Sequence, residues 1–196
     1  MVWMTALLSI AFAEPIPVEV VAAADGGFTL IRDGAPFVVQ GVGGEDQLTL
    51  LTRIGGNAIR TWGVGAETGA FLDAAHAQGL AVSVGIWLGH DRHGFDYTDA
   101  AQVAAQKAAA REAVLAYRDH PAVLVWGVGN EMEGFAEGDD PDVWSAVCDI
   151  ADMVQELDPV AGVHCGDSPT ADLCGRGHHR VVGVELLDHV GDVTDG

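Results

Sequence analysis

Cations are what this sequence has least of. Nine Lys and Arg stand against 29 Asp and Glu in 196 residues, a formal net charge of −20, and Lys107 is the single lysine. A chain so short of positive charge has little with which to neutralise a phosphate backbone or an anionic headgroup layer, which argues against nucleic-acid and membrane-surface partners. Cysteine is scarce too. Cys148, Cys165 and Cys174 are too few for a disulfide framework; Cys148 falls in an expected helix and reads as simply buried, while Cys165 and Cys174 could pair. Cys165, Cys174, His178 and His179 match no zinc spacing and read as loop, so no metal is expected. The glycine-rich turns GVGG and GVGAETG lack the spacing that cradles a pyrophosphate, and no cofactor is expected.

Long hydrophobic runs are also missing. The stretch Val2 to Ala13 is almost wholly apolar but falls short of the roughly 20 residues of a membrane span. It ends in Ala11-Phe12-Ala13 before Glu14-Pro15 and resembles an export signal with a small-residue cleavage site, without the usual preceding Lys or Arg. Residues 1–13 are therefore expected to be a signal peptide and the protein secreted or periplasmic. A buried first strand or a misassigned start is the alternative.

What is present is a core. Hydrophobic residues make up 49% of the chain, enough for one folded domain. Val18 to Ala22 reads as an edge strand, Asp25-Gly26-Gly27 as a turn before Phe28 to Arg32, and Asp33-Gly34 as a second turn before a strand from Pro36 to Gln40 that ends in Gly41-Val42-Gly43-Gly44. Strands and helices then alternate. Helices are expected over Gln47 to Ile54, Glu67 to Gln78 and Asp99 to Asp119, and from Asp140-Pro141 onward, where an N-cap and a first-turn proline coincide. Between them, Asn57 to Trp62, Leu80 to Leu88 and Val123 to Gly129 read as strands. Four βα units of this kind indicate a parallel sheet, either a small doubly wound sheet or the first half of a barrel. From Val160 to Gly196 the composition shifts to Gly, Asp and His, and Val181 to Leu187 is the only strand expected there.

Chemistry concentrates in His120 to Gly134, HPAVLVWGVGNEMEG. An apolar run buried on both faces ends abruptly in Asn130-Glu131. Ligands of parallel sheets sit where strands end at their carboxyl side, so Glu131 is placed at a pocket rim. A carboxyl group there is a candidate general acid, against the plain reading of a solvent-facing loop glutamate. Glu133 is the second choice.

Four stretches together, FTLIRDGAPFVVQGVGG, GGNAIRTWG, GLAVSVGIWLGHDRHGFDY and HPAVLVWGVGNEMEG, resemble the TIM-barrel clan of retaining glycoside hydrolases, in particular the catalytic barrel of family 2. The resemblance covers about Phe28 to Pro159. It implies an α/β fold, a partial (β/α)8 TIM barrel of about four βα units behind an N-terminal β-hairpin. Residues 14–36 would be the strand and hairpin, 37–159 the first half of the barrel, and 160–196 a divergent tail. The implied substrate is a β-linked poly- or oligosaccharide, cleaved by hydrolysis or transglycosylation. Glu131 would be the acid/base, Asn130 would hold the sugar 2-hydroxyl, and Arg60 would sit beneath the carboxylates. Trp62 and Trp87 would stack on sugars, and His90, Asp91 and His93 would bind hydroxyls.

The pattern also departs from that clan. Its nucleophile is a second glutamate at the end of strand seven, and a complete barrel takes about 250 residues. Glu185 comes too early to be that residue. The chain alone is expected to be truncated and inactive or nearly so, with open strand edges that invite oligomerisation. A non-catalytic carbohydrate-binding protein is the competing reading, and an α/β scaffold without a sugar site the third.

Overall fold

The computed structural model describes residues 14–22, 28–132 and 140–164. Residues 1–13, expected to be an export signal, and Glu133, Cys165, Cys174, His178, His179 and Glu185 lie outside the described residues. The chain begins with an antiparallel sheet of β1 (Val18–Ala22), β2 (Phe28–Arg32) and β3 (Ala35–Pro36). Asp33 and Gly34 join β2 to β3 with φ of 53° and 72°, the doubly left-handed turn that an Asp-Gly pair favours.

A five-stranded parallel sheet follows: β4 (Gly41–Gly43), β5 (Ala58–Arg60), β6 (Ala81–Ile86), β7 (Val123–Val128) and β8 (Gly162–His164). Helices α1 (Leu48–Arg53), α2 (Thr68–Ala77), α3 (Ala100–Tyr117) and α4 (Pro141–Leu157) connect them in turn. The spatial order β4-β5-β6-β7-β8 is the chain order, without the reversal that a doubly wound sheet has at its switch point. The helix ends obey local rules. Asp99 and Asp140 cap α3 and α4 by accepting backbone N–H bonds, and Gly79 follows α2 with φ 74°, the left-handed stop that glycine adopts without a Cβ penalty.

Two apolar clusters position the sheet. Val82, Val84 and Ile86 of β6 and Val123, Trp126 and Val128 of β7 pack with Leu72, Val114, Val147, Ile150 and Val154 from three helices. Each such aliphatic side chain contributes about 1.5–3 kcal/mol when fully buried. The second cluster sets Val18, Leu30, Phe37 and Val39 against Ala58, Ala81, Leu124 and Val125, residues in the amino-terminal halves of β5, β6 and β7. Arg32 Nη2 donates to the Pro121 carbonyl at 2.9 Å, and the Val18 N–H donates to the Val160 carbonyl at 3.1 Å. The N-terminal hairpin thus closes the amino ends of the parallel strands and leaves the site to their carboxyl ends.

Three details differ from the sequence expectations. The strand expected over Pro36 to Gln40 is broken: β3 stops at Pro36, and the chain crosses to the parallel sheet at Gly41. The sheet also continues past Pro159, because Gly162–His164 pairs with Val125–Gly127; a three-residue segment starting in glycine carries too little periodicity to announce itself. Cys148 on α4 is disulfide-bonded rather than simply buried. No helix among the described residues is long and apolar enough to cross a membrane.

Candidate active site

The site is built at the carboxyl edge of β5, β6 and β7. Strand β7 is buried along all six residues, and two backbone turns then release the chain. Gly129 has φ 76° and Glu131 φ 50°. Glutamate rarely adopts that left-handed region, which costs on the order of 1–3 kcal/mol where neighbours enforce it. Gly129 is needed at its position, since a Cβ there would stand 2.6 Å from Met132 Cγ. The Gly129 N–H donates to the Ile86 carbonyl at 2.9 Å, which ties the turn to the end of β6.

Asn130 is held from the side. Arg60, the last residue of β5, donates from Nη2 to Asn130 Oδ1 at 3.0 Å. Arg60, expected beneath the carboxylates, is thus in direct contact with Asn130. The bond uses the Asn130 oxygen, which leaves its amide N–H groups as donors, and it ties Arg60 to the amide rather than to the Glu131 carboxylate. Glu131 instead meets Arg92, whose Nη2 lies 3.4 Å from Oε2, with the two side chains 31% and 69% exposed. Arg92 escaped the sequence reading although it sits between the singled-out Asp91 and His93. A cation inside a loop expected to bind sugar hydroxyls was the available signal.

That loop is firmly based. A 3-10 turn, Asp91–His93, follows Gly89, whose N–H donates to Gln106 Oε1 at 2.6 Å and whose carbonyl accepts from the Tyr97 hydroxyl at 2.7 Å. Burial pushes the Tyr97 hydroxyl up from the usual phenol range, so it remains a donor. Trp62 and Trp87 are 40% and 48% exposed, available ring faces rather than core. Trp62 lies over Gly43, where a Cβ would stand 2.9 Å from the indole.

His90 is the exception to the open loop. It is 5% exposed, with its ring 5.1 Å from that of Trp87 and 5.7 Å from that of His93, and its Nε2 is buried without a hydrogen-bond partner among the described residues. Burial, followed by the nearby Arg92 and His93, lowers its pKa from the usual 6.5. The unfolded chain therefore takes the proton first, and this residue's contribution to stability declines as pH falls through the ordinary histidine range. Thermal melts from pH 7.5 to pH 5 are expected to show a steeper loss of Tm in the wild type than in His90→Gln. Equal slopes would remove His90 as the cause.

Beside this edge lies a cavity of about 370 Å³ with Phe71, Leu72, Val82 and Val84 toward the core and Glu45, Glu67 and Trp87 among its other walls. It shares Trp87 with the site but touches none of Arg60, Asn130 and Glu131. Among the described residues no group of three or more His, Cys, Asp or Glu could hold a metal ion.

No protein-family model and no curated protein sequence matches the chain. Solved structures do. The fold is similar to a family 2 glycoside hydrolase, the β-galacturonidase from Eisenbergiella tayi bound to galacturonate, at a TM-score of 0.63 and 17% identity over 81% of this chain and 30% of that one. It is similar to the β-D-glucuronidase of Dictyoglomus thermophilum at 0.60 and 18%, over 76% of this chain and 28% of that one. The Amycolatopsis orientalis exo-chitosanase gives 0.56 and 20%, over 78% and 19%. At these identities the likeness is one of fold, and the chain spans less than a third of each neighbour's length.

Proposed function

We propose, from a fold shared with β-glycosidases of family 2, that the described residues form the first part of a (β/α)8 barrel and carry the acid/base half of a retaining glycosidase site. One observation supports this most: a buried parallel strand ends in Asn130-Glu131, and the arginine ending the strand two places away holds that asparagine at 3.0 Å. An aligned Asn130 amide presents its N–H groups to a sugar hydroxyl. Glu131, at the rim, protonates the leaving glycosidic oxygen and then takes a proton from the attacking water. Half-exposed Trp62 and Trp87 offer flat apolar faces to pyranose rings.

A retaining pair needs a second carboxylate about 5 Å from the first, acting as nucleophile. In this reading it comes from a later strand of the barrel, and the described residues alone bind sugar and turn it over slowly or not at all. Residues 1–13, read as an export signal, would put the site outside the cytoplasm. The neighbours' names differ on the sugar, so the linkage is left to the site itself.

Tryptophan fluorescence under titration with β-linked saccharides, paired with an assay for released sugar, tests the proposal. Saturable quenching is expected, weakened about tenfold in Arg60→Ala, in line with an Asn130 left unaligned and a charged hydrogen bond lost. Any turnover must vanish in Glu131→Gln, and its survival there overturns the acid/base role. Saturation without product supports the binding-only reading. Neither signal leaves a scaffold without a sugar site.

A further inference from the structure

The cavity of about 370 Å³ beside the strand-end site takes no part in the chemistry of Glu131. Its volume falls in the range of small-molecule sites, whereas packed interiors keep few voids larger than a water molecule. Phe71 and Leu72 of α2 and Val82 and Val84 of β6 form its floor, and the last three are fully buried. Water gains little on such a floor, because a buried water needs about two to four polar partners. A sugar fits no better, since most of its hydroxyls would go unpaired. The floor suits an apolar body.

The polar groups of the wall are divided between depth and rim. Thr61 lines the cavity and is 3% exposed. Its Oγ1 accepts from the Gly85 N–H at 3.2 Å, but its hydroxyl proton has no acceptor among the described residues. A buried hydroxyl with an unspent donor marks a place for an acceptor atom. Glu45 and Glu67 stand at the rim, both exposed. Glu67 occupies the N-cap of α2, yet its side chain makes no capping hydrogen bond, the usual work of a polar side chain there. Neither carboxylate meets a Lys, Arg or His among the described residues. Two like charges beside one opening favour a cation there. Half-exposed Trp87 completes the wall, and an indole face is the best aromatic partner for an ammonium group.

We infer that this cavity binds a small arylalkylamine. Its ring lies on the apolar floor, its ammonium group sits between the Glu45 and Glu67 carboxylates and the Trp87 face, and an acceptor oxygen at its far end meets the Thr61 hydroxyl. The site shares Trp87 with the strand-end site but none of Arg60, Asn130 and Glu131. It therefore stands whether or not Glu131 acts on sugars.

Isothermal titration calorimetry of the full chain tests this with four probes of one shape. They are tyramine; phenethylamine, which lacks the phenol oxygen; tyrosol, with a hydroxyl in place of the amine; and 3-(4-hydroxyphenyl)propionate, an anion. Tyramine is expected to bind about tenfold more tightly than tyrosol, the size of one charge-assisted hydrogen bond in an accessible site, and severalfold more tightly than phenethylamine. The anion is expected not to bind. A chain of net charge −20 draws any cation weakly, so the variants must separate site from field. Glu45→Gln with Glu67→Gln should abolish the preference for tyramine over tyrosol and leave tyrosol affinity unchanged. Glu112→Gln with Glu156→Gln, the same change of charge at exposed positions of α3 and α4, should keep that preference. Ala66→Trp, at an exposed position of the cavity wall, should weaken tyramine and tyrosol alike. Equal binding of tyramine and tyrosol, or a preference lost to the same extent in both double variants, overturns the ammonium site. Phenethylamine binding as tightly as tyramine overturns the Thr61 contact. Binding untouched by Ala66→Trp overturns the cavity as its place, and no binding of any probe overturns the inference while leaving the sugar site standing.

Discussion

Asp158→Ala is expected to destabilise the protein by about 3–5 kcal/mol, summed from the buried donors it would orphan, and to lower Tm by on the order of 10 °C for a chain of this size. Asp158 is 3% exposed and stands just after α4, where the chain turns into β8. Its Oδ2 accepts from Trp126 Nε1 at 2.8 Å. Its Oδ1 accepts from the N–H groups of Val160 and Ala161 at 3.2 and 3.0 Å. Trp126 is fully buried in the middle of β7, so its indole N–H has no route to water once the carboxylate is gone. The two backbone donors lead into β8, and the register of Val125–Gly127 with Gly162–His164 depends on where that turn begins. Asp158→Asn is a graded control: with one oxygen and one NH2, it satisfies one side and sets donor against donor on the other. Thermal or denaturant unfolding checks the order wild type, Asn, Ala. An alanine variant within 1 kcal/mol of wild type would mean that water or a rearranged turn serves these donors equally well.

Gly85→Val is expected to destabilise by about 3 kcal/mol or more, the upper part of the range for overpacked sites. A Cβ on Gly85 would stand 2.5 Å from the Cα of Trp62 and inside the contact radius of the Thr61 carbonyl oxygen. Those atoms are backbone, and they are pinned: the Gly85 N–H donates to Thr61 Oγ1 at 3.2 Å, and the Thr61 N–H donates to the Ser83 carbonyl at 3.0 Å. Nothing nearby is a flexible side-chain tip that could yield. Gly127 is the control, because it is the direct register partner of Gly85 on β7 yet a Cβ there meets nothing nearer than 3.9 Å. Gly127→Ala should lie within about 1 kcal/mol of wild type, helped by the lower entropy of its unfolded chain. If both glycines tolerate a side chain alike, the loop after β5 does not lie as close over β6 as the structure places it. Displacement of Trp62 in Gly85→Val would also weaken sugar binding, which links the packing of this edge to the proposed function.

These two glycines mark the limit of what the chain shows in one dimension. Both interrupt an apolar strand near its carboxyl end, and no local feature separates the replaceable one from the other. The difference lies in a backbone segment more than 20 residues away. The same holds at the site. Asn130-Glu131 at the end of a buried run is legible because burial and strand termination are local. Arg92 as the partner of Glu131 is not, because it is brought there from a different strand's loop.

The sequence by itself determined the alternation of strands and helices, the Asp-Gly turn of the hairpin, the cap at Asp140, and the placing of a carboxylate at a strand end. Those follow from periodicity, φ preference and the unsatisfied groups at helix ends, all properties of residues a few positions apart. Tertiary structure alone decided that Arg60 grips Asn130 across a separation of 70 positions, that the hairpin closes the amino ends of the sheet, and that Gly162–His164 is its fifth strand. Each of these depends on strand register and on which end of the sheet a loop reaches, and register is fixed only when the strands pair and bury their side chains together.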